Sequence, residues 1–194
     1  NSGNNAFDKT NSTGETLAGS IAGCDVGCYE AWQKCTGDPS VIVAVLDDGV
    51  MYTHPDLAGN IWVNDKEELY AGTDADGNGY KDDRYGYNFV HNTAAISWTD
   101  VNDIGHGTHV SGTIAAMNNG YGVCGIAGGD GTKDSGVKIM ICQVFAGDNS
   151  VSLNGEAQAI KYAADNGAVI LQCSWGYNSS EANEVEGYSP GPAT

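Results

Sequence analysis

The chain has 194 residues, with 25 Asp or Glu against 8 Lys or Arg and a net charge of −17. That sign argues against binding phosphate backbones, and no apolar run is long enough to span a bilayer. With 28 glycines and only 17% charged residues, the composition suits one compact α/β domain rich in tight turns, not a coiled coil or a disordered chain. Residues 1–24 read as loop. The polar start Asn1-Ser2-Gly3-Asn4-Asn5 is what a mature N-terminus leaves after removal of a leader, so residues 1–27 are expected to be an extension of the mature chain. A short helix is predicted near Cys28–Cys35, stopped by Gly37 and Pro39. Val41–Leu46 is a continuous apolar, β-branched run, as in a parallel strand covered on both faces. Residues 48–104 read mostly as loop and turn. A helix of small residues is predicted from about His106 to Asn118, and a second buried strand over Gly136–Val144. A helix follows from Ser152, its N-cap, to Asn166, with Gly167 as the C′ stop. Ala168–Cys173 is predicted as a third buried strand. Strands alternating with helices imply a parallel sheet. The stretch 177–194 is polar, carries Pro190 and Pro192, and is expected to be an exposed loop.

Six cysteines are present. Cys24, Cys28 and Cys35 cluster near the predicted first helix, where a disulfide within the group is an open possibility whose partners the spacing does not determine. Cys142 and Cys173 fall in apolar, strand-like runs, where a thiol acts as a small hydrophobe. No histidine pairs with the cysteines at finger spacing, which disfavours a zinc site.

Two segments carry chemistry. Asp47 follows Val41–Leu46 directly, and Asp48-Gly49 lets the chain turn away, leaving the Asp47 carboxylate at the carboxyl end of a parallel strand, where open sheets place functional groups. His106 opens a helix whose Gly107, Thr108, Ser111, Gly112 and Thr113 are small enough for close packing on that sheet. A carboxylate that fixes an imidazole tautomer, with the second ring nitrogen free to take a hydroxyl proton, is two thirds of a Ser-His-Asp triad. Separately, Asp74-Ala75-Asp76-Gly77-Asn78-Gly79-Tyr80-Lys81-Asp82-Asp83 places oxygens at alternate positions as an EF-hand loop does. Asp74, Asp76 and Asn78 fall at positions 1, 3 and 5, the Tyr80 carbonyl at 7 and Asp82 at 9. Asp83 or a distant residue would complete a calcium shell, because Tyr85 stands where that loop has Glu.

Taken together, Asp47-Asp48-Gly49 with His54-Pro55-Asp56-Leu57, His106-Gly107-Thr108-His109-Val110-Ser111-Gly112, Gly122-Val123-Cys124-Gly125-Ile126-Ala127 and Cys173-Ser174-Trp175-Gly176 resemble, in order, the motifs of the subtilisin-like serine proteases, or subtilases, over about residues 30–176. The resemblance implies a three-layer α/β fold, a mainly parallel sheet flanked by helices, here incomplete: residues 28–176 would be the first part of the catalytic domain. It implies that Asp47 orients and that His106, not His109, is the general base. It also implies that backbone around Gly147–Ser150 and Ser174-Trp175-Gly176 pairs with substrate as added strands, with Phe145, Leu153, Glu156 and Trp175 near a subsite that is usually apolar. Glu156 and Trp175 depart from that pattern of small apolar side chains, and Glu156 would favour a basic side chain there. A second, structural calcium site is implied at Asp56, the Asn119 side chain, and the carbonyls of Met117, Tyr121 and Val123.

The nucleophilic Ser and the oxyanion-hole Asn of that family come later than the Ser174-Trp175-Gly176 strand and cannot be assigned in these residues. The expectation is therefore a calcium-stabilised, secreted or cell-surface serine endopeptidase acting on peptides or proteins. A second polypeptide, from the same precursor, would supply the Ser, with a cleavage or truncation point at the end of the 177–194 loop. The alternatives are an inactive truncated fragment, or a non-catalytic calcium-binding module for peptide binding or adhesion.

Overall fold

A computed structural model of the chain describes residues 26–176. The expected extension up to residue 25, Cys24 and the expected loop 177–194 lie outside the described residues. The apolar run after Pro39 forms β1 (Ile42–Asp47), and the run after Gly136 forms β3 (Lys138–Gln143). They pair in parallel, from Ile42 opposite Lys138 to Asp47 opposite Gln143. Alternation of side chains across the strands divides the core in two. Val43, Val45, Ile139 and Ile141 pack with Ala115 of α2 (His106–Ala115) on one face. Ala44, Leu46, Met140 and Cys142 pack with Ala159, Tyr162 and Ala163 of α3 (Leu153–Asp165) on the other. A parallel sheet between two helices is the three-layer arrangement that the resemblance implies.

Ser152 caps α3 by accepting the Gly155 N–H at 3.4 Å, and Gly167 ends it at φ +88°, a conformation that favours glycine. The helix α2 is shorter than the residue pattern suggests: Ala116 turns to an extended ψ of 130°. The first helix, α1, is also shorter, Cys28–Trp32, and none of its residues is buried.

Two features depart from the expectation. Within residues 48–104, Gly86–Asn88 forms a strand, β2, paired in parallel with the outer edge of β3. Three residues, two of them polar or glycine, show no period. What selects this strand is close approach, since a Cβ on Gly86 (φ +123°) would lie 1.9 Å from the Ile141 carbonyl oxygen. The third strand, β6 (Ile170–Gln172), is not buried as expected for 168–173. Ile170 is 49% and Leu171 39% exposed. It is an edge strand, hydrogen-bonded to β1 in the order β2-β3-β1-β6, with no further strand beyond it among the described residues. Cys173 is correspondingly exposed, whereas Cys142 is fully buried. A short antiparallel hairpin, β4 (Phe145–Ala146) with β5 (Asn149–Ser150), follows β3. The carboxyl ends of β1, β3 and β6 thus open onto one rim.

Candidate active site

Asp47 is the last residue of β1 and is 3% exposed. Its Oδ1 lies 2.8 Å from His106 Nδ1 and accepts the Asp48 N–H at 2.9 Å. Two residues far apart in the chain meet because the N-terminus of α2 is fastened to the turn after β1. Gly105, the N-cap, has no side chain to satisfy the first N–H groups of the helix. Asp48 does this from outside, its two carboxylate oxygens accepting from His106 N (3.1 Å) and Gly107 N (2.6 Å). A carboxylate there also complements the helix dipole. Thr108 Oγ1 accepts the Met51 N–H at 3.0 Å. A Cβ on Gly107 would meet Gly49 O at 2.3 Å, so glycine is required at the crossing.

The His106 side chain is partly exposed. Its hydrogen bond to Asp47 raises its pKa above the ordinary imidazole value; partial burial opposes this, and the Asp47 and Asp48 charges reinforce it. With the carboxylate accepting, Nδ1 carries the proton and Nε2 is left as an acceptor. Among the described residues no hydroxyl bonds to that nitrogen. Ser174, in particular, has its Oγ engaged by Gln172 Nε2 at 2.8 Å.

The residues expected to bind a peptide line the same rim. Phe145 meets Trp175 edge to face, with ring centroids 5.4 Å apart, and the Trp175 indole N–H donates to Leu46 O at 2.7 Å. Gly147 (φ +58°) donates its N–H to Asp103 Oδ1 at 2.7 Å, and Ser150 pairs with Phe145 across the hairpin. Leu153 and Glu156 occupy the first turn of α3. Near Gly176 a Cβ would meet only open space. Between rim and sheet sits Gln143, fully buried, which holds Ser97 through both ends of its amide and reaches Phe145 O at 3.0 Å.

The acidic loop organises itself differently from the EF-hand reading. Asp76 and Asp83 come together with Glu67, one oxygen of each lying within 4.8 Å of the others. Glu67 and Asp83 are both 0% exposed. Asp74 is turned away, accepting the N–H groups of Gly77, Asn78 and Gly79. Asp82, at φ +60°, accepts from Gly72 N, and the Tyr80 ring packs on Tyr87, Phe89 and Tyr162. The Asn78 amide donates to Asp83 Oδ2 at 2.9 Å. Burial raises the Asp83 pKa; hydrogen bonds from Asn78 and Tyr162 oppose this, and the Asp76 and Glu67 charges add to it. Glu67 carries no signal in the sequence, because Asp65-Lys66-Glu67-Glu68 looks like a solvated charged run.

At the other expected site, Asp56 is buried. Its Oδ2 accepts Val123 N at 3.0 Å, its backbone carbonyl accepts Met117 N at 2.8 Å, and its Oδ1 is buried without a partner. Asn119 Oδ1 accepts the Tyr121 N–H at 2.9 Å. The segment 117–123 therefore wraps Asp56. His54 and His109 do not approach Asp47. They border a cleft of about 500 Å³ along α2, with Thr108, Gly112, Ala116 and Ile126, and His54 Nδ1 accepts the Asp56 N–H.

The profile described as the subtilase family matches residues 38–192. Subtilisin-like protease 1 of Plasmodium vivax is 38% identical over 139 residues, covering 70% of this chain and 20% of its own. The halolysin-like extracellular serine protease Nep of Natrialba magadii is 31% identical over 152 residues, covering 78% and 23%. A crystal structure of Aeromonas sobria serine protease in a chaperone complex superposes with a TM-score of 0.60 at 26% identity, covering 92% of this chain and 24% of that one. The chain spans about a fifth of the length of the curated relatives it matches.

Proposed function

This chain belongs to the subtilase family, and on that premise we propose that it forms the first part of the catalytic domain of a serine endopeptidase. Asp47 orients His106 and stabilises the imidazolium. His106 Nε2 takes the proton of a serine hydroxyl during attack on the peptide carbonyl and then gives it to the leaving amine. The serine comes from polypeptide outside the described residues, as does an oxyanion donor worth ~3–4 kcal/mol. The observation that carries this reading is the 2.8 Å contact between Asp47 and His106 at the rim where the β4–β5 hairpin and residues 174–176 present backbone for an added peptide strand. Support for the further polypeptide comes from the exposed apolar edge at Ile170 and Leu171 and from the cleft beside α2. An apolar sheet edge of this kind needs cover.

Calcium belongs to the same reading. Two fully buried carboxylates beside a third, with burial raising the Asp83 pKa and the Asp76 and Glu67 charges adding to it, fit a divalent cation, since like charges this close repel until one joins them. Glu67, Asp76 and Asp83 would hold one ion. Asp56, with its unpartnered Oδ1, would hold another, with Asn119 and the carbonyls of Met117, Tyr121 and Val123. Each ion would neutralise buried charge and stabilise the fold by binding only the folded loops. In this reading the enzyme works outside the cytoplasm, with support from the relative named as extracellular.

The test is fluorophosphonate labelling of the full-length protein. One serine is expected to label, with labelling lost in His106→Ala and slowed in Asp47→Asn. Labelling that is indifferent to both substitutions would exclude this assignment of the triad.

A further inference from the structure

Five thiols lie among the described residues, and all are free in the structure. Cys142 is sealed beneath α3. Cys173 sits at the rim, near enough to Asp47 and Glu156 to feel their charge. Cys35, past the end of α1, turns to Gly37 O at 3.4 Å. The remaining two, Cys28 of α1 and Cys124 of the loop that α1 packs on, flank the contact that holds α1 to the domain.

That contact is slight. α1 buries none of its five residues. Its fastening is the Trp32 indole N–H, which donates to Ile126 O at 2.7 Å, helped by Gly129 N donating to Thr36 O just beyond the helix. Cys28 stands four residues before Trp32, one turn away on the same face, roughly 6 Å along the helix. Cys124 stands two residues before Ile126 in a non-helical segment, at most about 7 Å away along the chain. The Trp32–Ile126 and Thr36–Gly129 contacts run in the same sense along the two segments, which leads the turn of α1 that carries Cys28 back toward the stretch that carries Cys124. Cys28 is half-buried and Cys124 exposed, so the pair is open to reagents.

We infer that Cys28 and Cys124 form a disulfide that staples α1 to the loop behind α2, next to the Val123 N–H that holds Asp56. The bond forms by exchange with a small-molecule or protein disulfide. One thiolate attacks a sulfur of the oxidant and releases its first thiol. The second thiolate then displaces the other thiol from the mixed disulfide. Two thiols are oxidised, one disulfide is reduced to two thiols, and two protons move with the two electrons. The natural occurrence of the bond rests on the extracytoplasmic reading, because such bonds persist in oxidising compartments. Its geometry does not depend on that reading.

The experiment uses the full-length protein in two arms. In the first, protein from its natural source is alkylated without reduction, digested and mapped by mass spectrometry. In the second, reduced folded protein is treated with oxidised glutathione and mapped in the same way. A Cys28–Cys124 linked peptide is expected in both. Because the bond closes a long loop, the oxidised form should melt roughly 5–10 °C above the reduced form. Cys124→Ser should abolish that difference, while Cys173→Ser leaves it in place. A link formed only in the second arm supports the pairing and counts against the extracytoplasmic location. Full alkylation of Cys124 after oxidation, or a bond from Cys28 to Cys24 or Cys35, overturns the inference.

Discussion

Asp48 and Gly107 are joined by a hydrogen bond of 2.6 Å, from the Gly107 N–H to the Asp48 carboxylate. The same carboxylate takes the His106 N–H, so the residue after the expected orienting carboxylate caps the helix that carries the expected base. Replacing Asp48 by Ala removes the cap while Gly105 offers nothing in its place. A loss of about 1–2 kcal/mol is expected, read as a shift of the denaturation midpoint, with Asp48→Asn recovering part of it. A silent Asp48→Ala would mean that α2 is held by other contacts.

The pH dependence of His106 follows from its partner. Because Asp47 raises the imidazole pKa, the folded protein binds that proton more tightly than the unfolded chain does. The pair's contribution to stability is therefore complete below the unfolded value of about 6.5 and is lost as pH rises through the higher folded value. Catalysis needs the neutral ring, so the acid limb of kcat/KM should lie above the ordinary imidazole pKa and move down in Asp47→Asn. An NMR titration of His106 checks this, and a midpoint below 6.5 in the unsubstituted protein would contradict it.

Calcium removal should be visible as stability. At a free concentration one hundred times Kd, one ion stabilises by about 2.7 kcal/mol, so excess chelator is expected to lower Tm by several degrees. Glu67→Gln should shrink the chelator effect. Tyr162→Phe should also weaken the loop, because Tyr162 Oη donates to Asp83 Oδ2 at 2.7 Å and its phenol is held protonated by burial. An unchanged melt with chelator would refute both expected ions.

Ser111 is fully buried in α2, and its hydroxyl has no partner. An unpaired buried hydroxyl costs about 1–3 kcal/mol. Ser111→Ala is therefore expected to stabilise the protein, by about 1 kcal/mol in an equilibrium denaturant titration. A clear loss of stability would show that the hydroxyl is paired.

Glu156 stands in the first turn of α3, and in the proposed function it borders the substrate. A peptide library should show preference for Lys or Arg at the matching substrate position, reduced by Glu156→Gln. Equal cleavage of Lys, Leu and Glu peptides would remove Glu156 from specificity.

The parts of the fold that could be read in the residues are those with a local cause. β1 and β3 are long apolar runs, and α3 has a Ser cap and a Gly stop. β2 was not legible, because Gly86–Asn88 becomes a strand through its fit against Ile141, and no pattern in three residues encodes that. β6 was read as buried because Ala168–Cys173 is apolar. Composition reports what a segment would bury, and its exposure depends on which neighbours are present. In the acidic loop, the alternation of oxygens marked Asp76 but also Asp74 and Asp82, whose carboxylates take backbone N–H groups of Gly77, Asn78, Gly79 and Gly72, while Asp83 entered only as a candidate to complete the shell.

The sequence by itself determined the alternation of β1, α2, β3, α3 and β6 and the family, and it marked Asp47 and His106, because each follows from a pattern within a few neighbouring positions. Only the tertiary structure decided that Asp48 caps α2, that Glu67 is the third carboxylate beside Asp76 and Asp83, and that Trp32 of α1 docks on Ile126, two residues past Cys124. Each of these joins groups through space, at distances set by packing of the sheet against its helices, and packing depends on the whole set of side chains at once.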